Sequence, residues 1–90
     1  MADKIASKLY YAAIFSPNYK KELDFRGYIQ SLSSNNSEGA FDVLPLHENF
    51  VTILYGDLVI VDDAGQSRSF QVDRAVLEAS NNIVKVFVEF

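Results

Sequence analysis

The chain has 90 residues, 8 Lys+Arg against 12 Asp+Glu, a formal net charge of −4 and 49% hydrophobic content. At this length folding buries only roughly 60–65% of the surface exposed by the unfolded chain, so one modest core is expected. No cysteine is present, which excludes disulfides and thiolate metal sites, and the single histidine excludes a His-rich metal centre.

Other classes are disfavoured by pattern. The longest apolar run, Leu9 to Phe15, falls far short of the ~18–20 residues of a membrane span. Met1-Ala2-Asp3-Lys4 does not lead into a signal-peptide core. The basic residues are scattered in an acidic chain and form no stripe for a phosphate backbone, so neither a nucleic-acid nor a membrane partner is expected. A compact intracellular module is the expectation.

In chain order, Lys8 to Phe15 is rich in aromatic and branched side chains and stops at the turn signal Ser16-Pro17-Asn18. Glu22 to Ser33 is extended, with Leu23 and Phe25 on one face and Asp24 and Arg26 on the other. Gly27 interrupts the alternation and predicts a bulge, beyond which Ile29 and Leu32 take new facings. Ser33 to Gly39 is the one long polar stretch and is expected to be a mobile loop. Ala40 to Leu44 and Asn49 to Tyr55 read as short strands around Pro45-Leu46-His47-Glu48. Leu58 to Val61 is the next strand, closed by the hairpin loop Asp62-Asp63-Ala64-Gly65, and Ser67 to Val72 alternates again.

The last third is ambiguous. Asp73 could cap a helix over Arg74 to Ala79, but the segment is too short to stand alone and runs into the turn pair Asn81-Asn82. It is read instead as a terminal hairpin, Ala75 to Ala79 with Ile83 to Glu89. Roughly eight or nine short strands without a secure helix predict an all-β sandwich or closed barrel.

Catalytic chemistry finds little support, and no catalytic residue, metal site or cofactor is expected. His47 is the sole imidazole, and its neighbour Glu48 points elsewhere on an extended backbone, so no base with an orienting partner is assembled. Asp62-Asp63 has the composition of a cation ligand pair, but neighbouring acids at a hairpin tip are ordinarily solvated turn formers. The four glycines fall in no phosphate-cradling spacing. The five Tyr and seven Phe are expected mainly in the core or on a sheet face. A binding module is what remains. A small jelly-roll enzyme is a weaker possibility, because such enzymes gather His and carboxylate ligands.

One segment is more specific. The run from Ser37-Glu38-Gly39-Ala40-Phe41 through Val43-Leu44-Pro45-Leu46-His47 to Phe50-Val51-Thr52 resembles the signature of the epsilon subunit of F-type ATP synthases, called delta in mitochondria. Ile14-Phe15-Ser16-Pro17 and Phe25-Arg26-Gly27 upstream, and Val76 to Val86 downstream, are similar to the flanking strands of that family. The resemblance runs from Leu9 to Glu89. Departures are local: Leu46 replaces the family's Gly, Glu48-Asn49 its Ala-Pro, Asp42 another Gly, and Ala40 a position that is often charged.

The resemblance implies a single domain over residues 1–90, a flattened β-sandwich of about ten short strands, with residues 1–7 flexible. It implies a non-catalytic central-stalk (rotor) subunit that couples the gamma subunit to the c-ring of a proton-translocating synthase. The location implied is cytoplasmic, peripheral to the inner face of the energy-transducing membrane. Position by position, Ser16, His47 and Thr52 match residues facing gamma, and Glu38, Gly39 and Ala40 match the tip touching the c-ring. The helical hairpin that follows this domain in the family has no counterpart in the 90 residues; for a chain naturally this short, neither an inhibitory extension nor ATP binding is expected. The alternative is a free-standing β-sandwich interaction module unrelated to ATP synthesis. The face that gamma would cover is expected to carry exposed apolar residues, with Phe50, Tyr55 and Tyr28 as candidates.

Overall fold

The computed structural model describes residues 9–15, 23–45 and 48–89. The expected flexible segment 1–7 lies outside them. Among the described residues there is no helix, and six strands account for nearly all regular structure: β1 (Tyr10–Phe15), β2 (Leu23–Asn36), β3 (Gly39–Val43), β4 (Phe50–Asp62), β5 (Ser67–Ser80) and β6 (Ile83–Glu89). The strand order is β1-β6-β5-β4-β2-β3, and β1 also pairs with β2, which closes the sheet on itself. All pairings are antiparallel except β1 with β6.

The all-β sandwich is as expected, but the strand count is six rather than about ten. The difference lies in β2, β4 and β5, which are 14, 13 and 14 residues long and pass from one layer of the sandwich to the other without breaking their pairing. Each contributes one half to each layer. Sheet I comprises the first half of β2, then β1, β6, the second half of β5 and the first half of β4. Sheet II comprises β3, the second half of β2, the second half of β4 and the first half of β5.

Bulges make these crossings possible. In β2 the register shifts between Ile29 and Ser31, so buried positions change from Ile29 to Leu32 and Ser34. The bulge expected at Gly27 is therefore displaced: Gly27 pairs regularly with Ala12. In β5 the register shifts opposite Leu54 and Gly56, Asp73 and Arg74 are both exposed, and the buried face changes from Val72 to Ala75, Leu77 and Ala79. One extra residue flips every following side chain to the other face, which keeps apolar residues inward as the strand curves. Asp73 thus marks a bend, not a helix cap.

The core between the layers includes Tyr10, Ile14, Ile29, Leu32, Leu54, Leu58, Ile60, Leu77 and Val86, all fully buried. Each aliphatic side chain of this size contributes roughly 1.5–3 kcal/mol on burial. The terminal hairpin is as expected: Asn81 and Asn82 adopt φ of 49° and 60°, the two positive values that a two-residue turn matching strand twist requires. The expected mobile loop Ser33 to Gly39 is mostly strand, with Ser33 to Asn36 paired to β3 and only Ser37 and Glu38 in the turn. The resulting body measures 42 × 29 × 22 Å, flattened as a two-layer sandwich should be.

Candidate interaction surfaces

The hairpin joining β2 and β3 forms one end of the sandwich. Glu38, Gly39 and Ala40 are all exposed there. Gly39 has φ +117°, a conformation that L side chains rarely adopt, and a Cβ at this position would meet nothing within 4 Å. Glycine is thus needed for the backbone path and not for space. Asn36 organises the tip: its Oδ1 accepts the Glu38 amide at 2.9 Å. Its Nδ2 donates to Thr52 Oγ1 at 3.3 Å.

This carboxamide joins two groups of expected site residues. Thr52 is half-buried in β4, opposite Leu77, with its hydroxyl directed to the end of the sandwich and so to the Glu38–Gly39 turn. Ser16 and His47 lie outside the described residues. Asn36 was not anticipated, because Ser-Ser-Asn-Asn reads as loop; an Asn three residues before a Gly is the turn signal that could have found it.

Tyr10 anchors the base of the same hairpin. Its ring is fully buried, and its hydroxyl donates to the Val43 carbonyl at the end of β3. Burial pushes the phenol well above its usual range, against a smaller opposing pull from the Leu32 backbone; the nearby Asp42 charge adds to the rise. The tip is therefore fixed to sheet I through β1.

At the far end of β4, Asp62 closes the hairpin to β5. Its carboxylate accepts the Ala64 amide at 3.0 Å and the Gln66 amide at 2.9 Å. It also lies 3.5 Å from Arg68. Backbone hydrogen bonding, first from Gln66, holds this carboxyl below the usual range. Asp62 is thus a turn former, as its position suggested, and among the described residues no group of His, Asp and Glu has the arrangement of a metal site.

The outer faces of the two layers differ in character. Sheet II presents Ser31, Ser33, Asn35, Ser67, Ser69 and Gln71 around the half-buried Val59 and Val61, with Asp42 accepting a hydrogen bond from Ser33 at 2.6 Å. Sheet I presents two rows of apolar residues with a mixed row, Val51, Glu78, Lys85, Ala13 and Arg26, between them. Register places Ile53, Val76, Phe87 and Phe15 in one row and Ile83, Tyr11 and Tyr28 in another. Val51 is 65% exposed and Phe87 42%. Phe15 and Phe87 stack with centroids 5.0 Å apart. Tyr11 and Tyr28 meet edge to face at 5.4 Å.

Of the three expected rings, all are exposed, but only Tyr28 belongs to this face. Phe50 sits at the open end of β4, and Tyr55 faces outward at the bend between layers, opposite Asn35. The clearest sequence signal for the face was Ile83 to Val88, where both sides of one strand are largely apolar.

No helix among the described residues is long and apolar enough to cross a membrane. The family model described as the ATP synthase, Delta/Epsilon chain, beta-sandwich domain matches residues 20–90. Among solved structures, the chain is similar to one in the cryo-EM structure of the Euglena gracilis mitochondrial ATP synthase, OSCP/F1/c-ring in rotational state 1. The TM-score is 0.79 at 15% identity, over 90% of this chain and 51% of that one. This chain thus spans about half the length of its structural relative. A comparison with curated proteins gives no match.

Proposed function

Since the chain belongs to the β-sandwich domain family of the ATP synthase delta/epsilon chain, a family of non-catalytic subunits, we propose that it works in the central stalk, coupling the gamma subunit to the c-ring of a proton-translocating synthase. The observation that carries this reading is the contrast between the apolar outer face of sheet I and the serine-rich face of sheet II. A monomer gains nothing from leaving Val51, Ile83, Tyr28 and Phe87 in water, whereas an assembled subunit buries them.

In this reading gamma covers the sheet I face and its rim at Thr52, and also contacts Ser16 and His47. Glu38, Gly39 and Ala40 meet the polar loops of the c-ring. The subunit is peripheral to the membrane, on the cytoplasmic side of its inner face. Torque passes from ring to shaft only through a body that does not shear. Two sheets sharing three continuous strands meet that need, provided the interface reaches the ~800 Å² per partner typical of stable complexes. Asn36 then stands between the two contacts, tying the ring-facing turn to Thr52.

The test is functional. Energised membranes lacking the chain should lose proton-driven ATP synthesis while the catalytic head still hydrolyses ATP. Adding back the wild type should restore synthesis, and Val51→Asp should not. Synthesis at full rate without the chain would overturn the reading and favour a free-standing interaction module.

A further inference from the structure

Between its two apolar rows the outer face of sheet I has a pit. Along β1 the outward residues are Tyr11, Ala13 and Phe15, large, small and large. Ala13 is therefore a floor, 8% exposed, between two aromatic walls. One wall is the Tyr11–Tyr28 pair and the other the Phe15–Phe87 stack. Each wall stands two residues along the strand from Ala13, or roughly 7 Å.

The other two sides are cationic. Ala13 pairs with Arg26 on β2 and with Lys85 on β6, so the two cations flank it. Their backbones are two strand spacings apart, about 10 Å. Lys85 faces Glu78 on its other side. Arg26 makes no ion pair among the described residues. In a chain of net charge −4, two cations beside one alanine, with Glu78 beyond Lys85 as the one carboxylate of that row, leave the Arg26 side of the pit positive.

We infer that this pit receives a single acidic side chain, a glutamate or aspartate, from the surface of gamma that covers sheet I; the inference rests on the central-stalk reading. The aromatic walls suit the aliphatic stem. The Arg26 guanidinium offers a planar fork of N–H donors to the carboxylate, and Lys85 adds a second charge. A free anion is a poorer occupant, because it would leave Val51, Ile53 and Val76 of the same face uncovered. A protein partner with an apolar surface around one carboxylate matches both features.

The test is calorimetric titration of purified gamma against the wild type, Arg26→Glu/Lys85→Glu, Ala13→Leu and the control Ser69→Glu on sheet II. Arg26 and Lys85 are exposed, so the charge variant should fold, with thermal melts as the check. Ala13→Leu fills the pit without altering charge. The expected result is at least tenfold weaker binding for both pit variants, with the affinity of the charge variant no longer falling as salt rises. Ser69→Glu should bind as the wild type. Binding of both pit variants within twofold of the wild type would overturn the inference while leaving the central-stalk reading intact. Wild-type self-association abolished by Arg26→Glu/Lys85→Glu, with gamma affinity unchanged, would assign the pit to a second copy and overturn it too. No binding of gamma by the wild type would overturn the central-stalk reading and the pit together.

Discussion

Tyr10→Phe removes one oxygen from the interior and tests how the β2–β3 hairpin is held. The Tyr10 hydroxyl donates to the Val43 carbonyl, at the junction of β1 and β3. Phenylalanine keeps the packing of the ring but leaves that buried acceptor unpaired, at a cost of about 1.5 kcal/mol. For a domain of this size the melting temperature should fall by about 6–12 °C.

The same substitution has a pH signature. Burial raises the Tyr10 phenol above its ordinary value, so the folded state keeps its proton while the unfolded chain ionises near pH 10. Above that pH the unfolded state binds fewer protons, and stability falls by up to about 1.4 kcal/mol per pH unit. The wild type should lose about 1.4 kcal/mol by this route between pH 9 and 11. Phenylalanine has no proton to lose, so the gap between the two proteins should nearly close by pH 11. Urea unfolding at pH 7, 9, 10 and 11, followed by circular dichroism, measures both effects. A gap that stays constant across that range would refute the argument, since it would mean that the phenol titrates alike in both states.

Three further outcomes follow from local geometry. Asp62→Asn should lower the melting temperature at pH 7. The deficit should vanish in acid: the folded carboxyl is depressed, so its contribution exists above the unfolded value near pH 4 and is lost as pH falls through the folded one. Equal melting curves for both proteins at pH 7 would count against it. Asn36→Asp retains the acceptor for the Glu38 amide but loses the donor to Thr52, whereas Asn36→Ala loses both. Hydrogen exchange at the Glu38 amide should therefore accelerate in the alanine variant only. Asn81→Ala should cost about 1 kcal/mol, because alanine lacks the tolerance of asparagine for positive φ; chemical denaturation reads this directly.

Much of the fold was legible because it is written locally. Asn81-Asn82 between two alternating runs specifies a hairpin, and Asp62 to Gly65 specifies another. The continuity of β2, β4 and β5 was not legible. The bulges at Gln30 and at Asp73-Arg74 reverse the alternation, and a reversal in a lone sequence looks like a strand ending. It becomes a bend only when the partner strand continues past it, and that partner is distant in sequence.

The surfaces divide in the same way. Glu38-Gly39 stood out through family resemblance, and the structure adds that Gly39 takes a φ of +117°. Asn36 was hidden because its partners are a turn amide and a hydroxyl 16 residues away. The sheet I face was half visible, in the two-sided apolar run of β6. Its assembly with Val51, Ile53, Tyr11 and Phe15 depends on register between strands, and alternation within one strand carries no register information.

The central claim is that this sandwich is clamped between shaft and ring. Cryo-EM of the intact synthase from the native membrane tests it most directly. Density for the chain is expected at the foot of the central stalk, with Val51, Ile53 and Phe87 against gamma and the Glu38–Gly39 turn directed at the c-ring. A synthase whose stalk lacks the chain, or holds it with the serine-rich face against gamma and the apolar face in solvent, would contradict the account.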